Sequence, residues 1–392
     1  MLPFTVWGLA LGQALLVTGN ILLVTVTALI GQQLAPSAMW VTLPVALQFL
    51  GLMSATLPAA LLMGWLGRKL GFFVGNLIGV LGALLALWAL SENSFWVFCV
   101  STTLLGMAIG VGQQYRFAAV EASPVDQHAQ AIGLVMGGGV LAAFLGPNLA
   151  VWAKDMFVGQ PFMGAFAVLA GLYAFTTVLI LSLPLPKPLS AKEQQGGRGY
   201  LELIKQPLLL SAVASASIGY GVMVLVMTAT PLAMQSYDFE FADVASIIQW
   251  HVLGMFVPSF FTGHLIRWFG SVKVIIAGCV ILLATSLLAQ AGIEYRQFLI
   301  ALVALGVGWN FTFIGATHLL TQTYQPNERA RVQGMNDMLV FGFSALGSLF
   351  AGAMQLMLGW QWLNLLMIPP ILLAGFLVLW NANKVRQYSV IK

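Results

Sequence analysis

Two pairs of soft metal ligands stand four residues apart on consecutive hydrophobic segments. Met223 and Met227 lie on one segment, and His251 and Met255 lie on the next. Because residues four apart share one face of a helix, each pair would present its two ligands in the same direction. Thioether sulfur suits copper(I), and imidazole is a common ligand of copper, zinc, iron and nickel. The spacing therefore predicts a copper(I) site formed by these four residues.

Chance and packing offer an alternative explanation of these motifs. The chain has 17 methionines, so a single Met-x-x-x-Met pair is not unusual, and methionine often fills apolar gaps. With only four histidines, a His-x-x-x-Met pair is rarer, and the two motifs occur on consecutive segments. The coincidence favours a metal site, while packing of the methionines and hydrogen bonding of His251 inside a bundle stays open. Met234, seven residues after Met227, is a candidate ligand at the outer entrance.

Composition places these residues in a membrane. The chain is 60% hydrophobic and 7% charged, with a mean hydropathy of +0.93, whereas an ordinary soluble domain is about 25% charged. Its apolar segments are long enough to cross a bilayer as helices. We therefore predict an all-α membrane protein with twelve transmembrane helices in two pseudo-symmetric halves. The predicted spans are 4-33, 42-66, 72-91, 95-119, 129-152, 162-184, 207-234, 244-266, 272-292, 297-322, 332-358 and 362-383.

A polar stretch divides the predicted spans into two sets of six. We expect an N-terminal half at 1-185, a cytoplasmic central loop at 186-206 and a C-terminal half at 207-392. With both termini in the cytoplasm, only Lys154 and Arg296 of the 16 basic residues fall outside, as the positive-inside rule requires. The net charge of +4 then reflects topology, and no nucleic-acid partner is expected. The N-terminus has no basic stretch or small-residue cleavage site, so we expect it to be uncleaved.

Two short sequence echoes indicate that the halves are repeats. A Gly-x-x-x-Arg-x-x-Gly stretch follows span 2 and a similar stretch follows span 8, at an offset of 199 in the numbering. A second echo relates Gly110 and Gly112 to Gly306 and Gly308, at an offset of 196. We expect the first pair of stretches to act as a conformational latch at the cytoplasmic face, with each arginine near helix C-terminal carbonyls. The latch residues are Gly64, Arg68, Gly71, Gly263, Arg267 and Gly270.

These motifs resemble those of the major facilitator superfamily. The latch stretch is similar to that family's loop between helices 2 and 3, with Arg68 where the family usually has Asp. The segments Met223–Met234 and Gln249–Gly263 resemble the corresponding helices of the CcoA-like copper importers in that family. Gln-Tyr-Arg116-Phe-Ala-Ala, Gly137-Gly-Gly139 and Gly146-Pro147 are also similar to the wider family.

The resemblance implies a function and a location. It implies that Met223, Met227, His251 and Met255 bind copper, and that this copper supplies haem-copper oxidase assembly. It also implies a multi-pass protein of the bacterial inner membrane. Within that reading we expect a monomeric carrier in the lipid bilayer that imports copper(I) by alternating access. We expect no enzymatic activity and no cofactor, copper being the transported substrate.

Two alternatives concern the cargo. The wider family includes riboflavin carriers, and a riboflavin or other small organic solute would need aromatic surfaces and amide partners. The candidates for those contacts are Gln113, Gln114, Tyr115, Trp250, Trp309 and Asn310. The other alternative is a proton-coupled drug exporter, which would depend on Asp337.

Ionisable residues inside or beside the spans are candidates for coupling or gating, because such groups are costly in a membrane. They are Asp337, Arg116, Glu121 and His318. Arg116 and Glu121 are five residues apart, so a structural role for them needs partners on other helices or a local bend. His318 is a candidate for passing metal inward. Cys99 and Cys279 stand singly and are expected to be small buried residues.

Overall fold

The computed structural model describes residues 2–124, 128–185, 198–325 and 328–381, and every regular element in these ranges is helical. The first part of the predicted central loop, 186–197, and the basic C-terminal residues from 382 onward lie outside the described residues. The helices are α1 Phe4–Leu34, α2 Leu43–Leu66, α3 Arg68–Ser91, α4 Phe95–Gly112, α5 Tyr115–Glu121, α6 His128–Ala153, α7 Met163–Ser182, α8 Tyr200–Ile204, α9 Pro207–Ser236, α10 Phe241–Phe256, α11 Ser259–Phe269, α12 Ser271–Leu288, α13 Tyr295–Leu320, α14 Arg329–Leu365 and α15 Ile368–Trp380.

The helices confirm the predicted all-helical membrane fold. Within the described ranges, ten stretches are long and apolar enough to cross a membrane. One of them, Val332–Trp380, contains two spans separated by a kink at Gly359, and α6 adds the shorter apolar stretch Gly137–Ala153. The two additions bring the stretches to the twelve spans expected from the sequence.

Several predicted spans are not single straight helices, because the helix is interrupted within the span or kinked at its end. Span 4 consists of α4 and α5, which are separated at Gln113 and Gln114. Span 8 consists of α10 and α11, separated at Val257 and Pro258, because a proline lacks the N–H of a continuing helix and its ring crowds the preceding turn. At Gly359 the φ angle is +76°, which a glycine adopts without strain.

Contacts divide the chain into two compact units. The first is Met1–Ala191 with Phe239–Gln249, and the second is Lys192–Asp238 with Trp250–Lys392. In the first unit α1 packs on α6 and α7, while α3 packs on α4 and α7. In the second unit α9 packs on α14 and α15, while α12 packs on α13 and α15. The same pairing of helices in both units is the internal repeat that the sequence predicted.

Residues 239–249 belong to the first unit through specific side chains. The Phe241 ring lies edge-on to Phe162, with ring centroids 5.0 Å apart. The Lys154 ammonium lies 5.5 Å from the centre of the Phe241 ring, within cation–π distance. Asn148 on α6 donates to Gln249 at 3.2 Å. Helix α10 therefore begins in the first unit, although most of the chain after the central loop belongs to the second.

The turns before α3 and α12 set the register of the repeat. Gly67 has φ 86° and ψ 161°, and Gly270 has φ 83° and ψ 155°. Both glycines have positive φ and directly precede the first helical residue, so they are equivalent, at an offset of 203 in the numbering. The offset of 199 predicted from the glycine and arginine pattern is therefore wrong by one helical turn. Arg68 corresponds to Ser271, and Arg267 corresponds to Gly64.

A close approach of helices gives the same register for α2 and α10. A Cβ atom on Gly106 of α4 would overlap the main-chain oxygen of Gln48 on α2. A Cβ atom on Gly306 of α13 would likewise overlap the main-chain oxygen of His251 on α10. Gln48 and His251 are thus equivalent, again at an offset of 203. Gly306 corresponds to Gly106, and not to Gly110 as the second sequence echo predicted.

Candidate functional site

The four predicted metal ligands are buried in the second unit. Met223 and Met227 lie on α9, and His251 and Met255 lie on α10. His251 is 0% exposed, and its Nδ1 lies 2.7 Å from the main-chain oxygen of Leu302. Because that oxygen can only accept, Nδ1 carries the proton and Nε2 carries the lone pair. No partner for Nε2 exists among the described residues, so this buried nitrogen is free to take a metal ion or an N–H donor.

The internal repeat supplies the relation between Met223 and His251. A Cβ on Gly146 would meet the oxygen of Thr18, and one on Gly347 would meet the oxygen of Gly221, so α1 and α9 correspond at an offset of 203. Asn20 is then equivalent to Met223. In the first unit, Gln48 Nε2 donates to Asn20 Oδ1 at 2.8 Å. The equivalents of Met223 and His251 thus contact each other, and we infer the same facing arrangement for Met223 and His251.

The remaining predicted metal ligands have apolar equivalents. Met227 corresponds to Val24, and Met255 corresponds to Leu52, at the same offset of 203. Met234, the candidate entrance ligand, is 0% exposed. Within the described ranges, His, Cys, Asp and Glu side chains form no group of three that could hold a metal. A metal in this part of the chain would therefore depend on the thioethers and His251.

An aromatic cluster lies beside α10 in the second unit. Trp309 and Phe313 on α13 are stacked, with ring centroids 5.1 Å apart and planes inclined by 10°. Tyr220 of α9 lies edge-on to both, at 5.3 and 5.4 Å. Phe341 of α14 lies edge-on to Tyr220 at 6.0 Å, and Phe256 of α10 approaches Trp309 at 6.4 Å. Four helices thus contribute aromatic rings to one surface, which we call the aromatic cluster.

The aromatic cluster includes an unsatisfied donor and lies near an acid. Trp309 is 6% exposed, and its Nε1–H is buried with no acceptor among the described residues. Asp337 lies one helical turn before Phe341 on α14 and interacts electrostatically with Tyr220. A planar solute with a carbonyl edge could stack in this environment and accept a hydrogen bond from Trp309. The sequence singles out Trp309 but not its aromatic neighbours, most of which lie on other helices.

Asn310 holds two helices together. Its Nδ2 donates to the main-chain oxygen of Met255 and to Ser259 Oγ, both at 2.7 Å, and its Oδ1 accepts from Thr262 Oγ1 at 2.6 Å. Met255 lies in the last turn of α10, whereas Ser259 and Thr262 belong to α11. Both the oxygen and the nitrogen of the buried Asn310 amide therefore bond to groups on either side of the break at Pro258. Trp250, another candidate for a solute contact, is 49% exposed.

Gln114, one of the candidates at the end of α4, takes part in a hydrogen-bond network of the first unit. Gln114 is buried and its Oε1 accepts from Arg68 Nη1 at 3.1 Å. Arg68 also bonds both carboxylate oxygens of Glu121, at 3.1 and 2.7 Å. Tyr115 packs its ring on Phe72 at 4.4 Å. Gln113 follows the last residue of α4 and is half-buried.

The Arg68 contacts replace the predicted contacts with helix C-terminal carbonyls. The two-pronged bond to Glu121 fixes the turn between α2 and α3 to the end of α5, because a guanidinium matches the two oxygens of a carboxylate. Glu121 therefore has a partner on another helix, as its spacing from Arg116 required. In the second unit, Arg267 lies in the last turn of α11, and His318 Nδ1 lies 2.7 Å from Ser271 Oγ.

A second ion pair was not expected from the sequence. Arg198, within the predicted central loop, bonds Glu328 through Nη2 at 2.6 Å and through Nε and its main-chain N–H at 2.9 and 2.8 Å. Glu328 is 0% exposed and also accepts from the Gln325 main-chain N–H at 2.9 Å. The Arg198 bonds, with the backbone N–H groups, hold the pKa of Glu328 far below its ordinary value. The pair fixes Arg198 to the connection between α13 and α14.

Three amide side chains of the first unit, two of them buried and Asn20 half-buried, were also not predicted. Gln13, Asn20 and Gln48 lie within spans that hydropathy alone describes as apolar. The signal that finds Asn20 and Gln48 is the offset of 203, which aligns them with Met223 and His251. The offset of 199 suggested by the glycine and arginine pattern does not align these residues with Met223 and His251.

Two repeated six-helix units with polar groups buried inside apolar helices define a membrane transporter. The family model for the Major Facilitator Superfamily matches residues 9–289 and 250–389. The chain belongs to that superfamily, whose members are secondary transporters.

Relatives with assigned names extend over nearly the whole chain. The riboflavin transporter RfnT of Brucella anthropi is 39% identical over 364 residues, covering 92% of this chain and 91% of the relative. The uncharacterized MFS-type transporter YdeG of Bacillus subtilis is 31% identical, covering 89% of this chain and 84% of the relative.

Solved structures share the fold at low sequence identity. A crystal structure of a mutant of the nucleoside transporter NupG has a TM-score of 0.69 at 16% identity, covering 95% of this chain and 99% of the other. The human organic anion transporter MFSD10 has a TM-score of 0.67 at 15% identity, covering 96% of this chain and 100% of the other. At these identities the two structures support the fold and carry no information on cargo.

Proposed function

We propose that this protein imports riboflavin or a closely related flavin by alternating access. The observation that carries the proposal is the 39% identity to the riboflavin transporter RfnT over 92% of this chain. The proposal replaces copper(I) as the first choice of cargo, because the metal motifs carry no such support from a named relative. We further propose the bacterial inner membrane as its location, with both termini in the cytoplasm and the monomer as the working form.

The aromatic cluster supports a flavin as cargo. The isoalloxazine ring of a flavin is planar, aromatic and edged with carbonyl oxygens. Offset or edge-on contact with aromatic side chains stabilises such a ring by about 0.5–1.5 kcal/mol per pair beyond its burial. Trp309 Nε1 would donate to a ring carbonyl, which would satisfy a donor that is otherwise buried without a partner in the described part of the chain. Asp337, one helical turn before Phe341 on α14, is our candidate for proton coupling.

Copper(I) remains a second candidate because of one observation. His251 presents a buried Nε2 lone pair without a partner among the described residues, and Met223 is equivalent to Asn20, the residue that accepts from Gln48 in the first unit. An imidazole and thioethers from Met223, Met227 and Met255 form a neutral, soft ligand set suited to copper(I). The same Nε2 can instead accept an N–H from an organic solute, so the nitrogen alone does not decide the cargo.

Uptake of the two cargoes in one cell line separates the candidates. We would express the chain in a riboflavin-auxotrophic bacterium that lacks its own flavin transporter, and measure radiolabelled riboflavin and copper under reducing conditions. The variants are Trp309→Leu, which removes the ring and donor, and Met223→Leu with His251→Ala, which removes two metal ligands. The control is Val224→Ala, a buried change beside Met223 that removes no aromatic ring and no metal ligand.

The expected result is riboflavin uptake that Trp309→Leu lowers about tenfold, as the loss of about 1.4 kcal/mol of binding would do. Val224→Ala should transport riboflavin at nearly the parental rate. Copper uptake that is lost in the Met223→Leu, His251→Ala variant, with no riboflavin uptake by the parent, would overturn the flavin proposal and favour copper(I).

A further inference from the structure

A pair of amides in the first unit, Gln48 and Asn20, has hydrogen-bonding capacity that the described part of the protein does not use. Gln48 on α2 is 1% exposed, and its Nε2 donates to Asn20 Oδ1 on α1 at 2.8 Å. The other end of Gln48, Oε1, is buried with no donor among the described residues. Leaving a buried acceptor unpaired costs about 1–3 kcal/mol. A ligand that donates to Gln48 Oε1 would recover this cost.

The fold does not require amides at these two positions. In the second unit the equivalent positions hold Met223 and His251, within the same arrangement of helices. Close packing of α2 on α4 depends on Gly106 and the Gln48 main chain, which a different side chain at position 48 would leave unchanged. Packing of the helices alone therefore does not account for the amides.

The free groups of the pair define the chemistry of a ligand. Gln48 Oε1 is an acceptor, while Asn20, which is only half-buried, has amide hydrogens on Nδ2 that can be donated. Neighbouring acceptor and donor groups match a cyclic imide, in which an N–H stands beside a carbonyl. Gln13, two helical turns before Asn20 on α1, is also buried, and its Oε1 has no partner among the described residues, so this face of α1 carries a further acceptor.

We propose that Gln48 and Asn20 bind the imide edge of the solute: Gln48 Oε1 accepts its N–H, and Asn20 Nδ2 donates to the adjacent carbonyl. This inference rests on the proposed flavin function, since a flavin carries an imide on its pyrimidine ring at N3. It assigns specificity for the imide to the first unit at some stage of the transport cycle.

The test compares riboflavin with riboflavin methylated at N3, which lacks the imide hydrogen and keeps the ring. Uptake and, with purified protein in detergent, quenching of flavin fluorescence are measured for both compounds. The variants are Gln48→Met, which keeps the length of the side chain but removes the acceptor, and the control Gln355→Met. Gln355 on α14 is also a buried glutamine whose Oε1 has no partner in the described ranges, but it has no part in the pair.

The parent and Gln355→Met should prefer riboflavin to the methylated compound by about tenfold or more, because the methylated compound leaves the buried Gln48 Oε1 unpaired. Gln48→Met should lose most of this preference in both measurements, chiefly through weaker binding of riboflavin. A preference that persists in Gln48→Met, or that is absent from the parent while riboflavin is still transported, overturns this inference alone. Absence of riboflavin uptake and binding in the parent overturns the proposed function and this inference with it. The binding measurement on protein of parental elution volume excludes misfolding as the cause of a lost preference.

Discussion

Gln48 and His251 occupy equivalent places in the two units, with the main-chain oxygen of each lying against a glycine of the neighbouring helix. Each side chain is buried and has an acceptor atom without a partner in the described part of the chain. Gln48 donates to Asn20, and the residue equivalent to Asn20 in the second unit is Met223. The same backbone position thus carries an amide in one unit and an imidazole in the other.

This equivalence can be tested by transferring the amide pair to the second unit. His251→Gln alone should place an amide beside a thioether, and adding Met223→Asn should restore the 2.8 Å bond found between Gln48 and Asn20. We expect the two changes to be coupled by about 1 kcal/mol, seen as a higher unfolding midpoint in detergent than the single effects predict. Met227→Asn with His251→Gln is the control, since Met227 is equivalent to Val24. Equal coupling in the two double variants would show that the alignment of Asn20 with Met223 is wrong.

Trp309 is expected to act through both its ring and its donor. Trp309→Phe keeps an aromatic ring beside Phe313 and Tyr220 but removes Nε1–H, so its riboflavin uptake should lie between those of the parent and Trp309→Leu. A single net hydrogen bond of about 1 kcal/mol corresponds to a loss of about fivefold in affinity. The concentration dependence of uptake measures the change in affinity. Equal uptake by Trp309→Phe and Trp309→Leu would show that the aromatic ring at this position does not contribute to binding.

Close packing of α13 on α10 should make Gly306 intolerant of a side chain. The Cβ of Gly306→Ala would overlap the main-chain oxygen of His251 and lie 2.8 Å from the Met255 nitrogen, both fixed by the helix. Overpacking of this kind costs about 1–3 kcal/mol, so the unfolding midpoint should fall. Gly171→Ala is the matched control, because its Cβ would meet nothing within 4 Å. A parental midpoint for Gly306→Ala would show that the two helices can separate without cost.

The Arg198 and Glu328 pair should make stability depend on pH. The pKa of Glu328 is lowered in the folded protein, so its contribution is present above the ordinary glutamate pKa of about 4.3 and is lost as the pH falls toward the lowered value. Glu328→Gln should therefore lower the unfolding midpoint at neutral pH, and the difference from the parent should shrink on acidification. Glu202→Gln, an exposed change on α8, serves as the control. A difference that grows on acidification contradicts the assignment.

The helical membrane fold could be predicted because it follows from hydropathy and length. A bilayer requires backbone hydrogen bonds to be satisfied within each span, so long apolar segments can hardly form anything but helices. The positions of the breaks were less predictable. Pro58 and Pro147 lie inside α2 and α6, whereas Pro258 separates α10 from α11, although all three prolines lie within predicted spans.

The register of the repeat was not predictable from the motifs that suggested it. Gly71 and Gly270 align in sequence because both follow an arginine by three residues, but Gly67, and not Gly71, shares the positive φ of Gly270. Backbone conformation distinguishes these glycines, and composition does not. The contact of Gln48 with Asn20 likewise joins residues 28 positions apart, which local spacing cannot reveal.

Candidate site residues differ in how far sequence can place them. Rarity identifies His251, but the hydrogen bond to Leu302 that determines which ring nitrogen is free depends on packing of α10 on α13. Asn310 stands out as a polar group inside a span, and only the structure assigns its amide to Met255, Ser259 and Thr262. In the sequence, an amide that only bonds other parts of the protein looks the same as an amide that binds a solute.

The bonds of Asn310 have a mechanical consequence for transport. A break in a membrane span would ordinarily be flexible. Here the amide of Asn310 bonds both the last turn of α10 and the first turn of α11. Helices α10 and α11 should then move as one rigid body with a fixed bend. A displacement at Arg267 would therefore also displace His251, because the chain does not flex at Pro258. Asn310 on α13 would thus hold the bend between α10 and α11 at a fixed angle. The rigidity that this movement needs comes from a neighbouring helix.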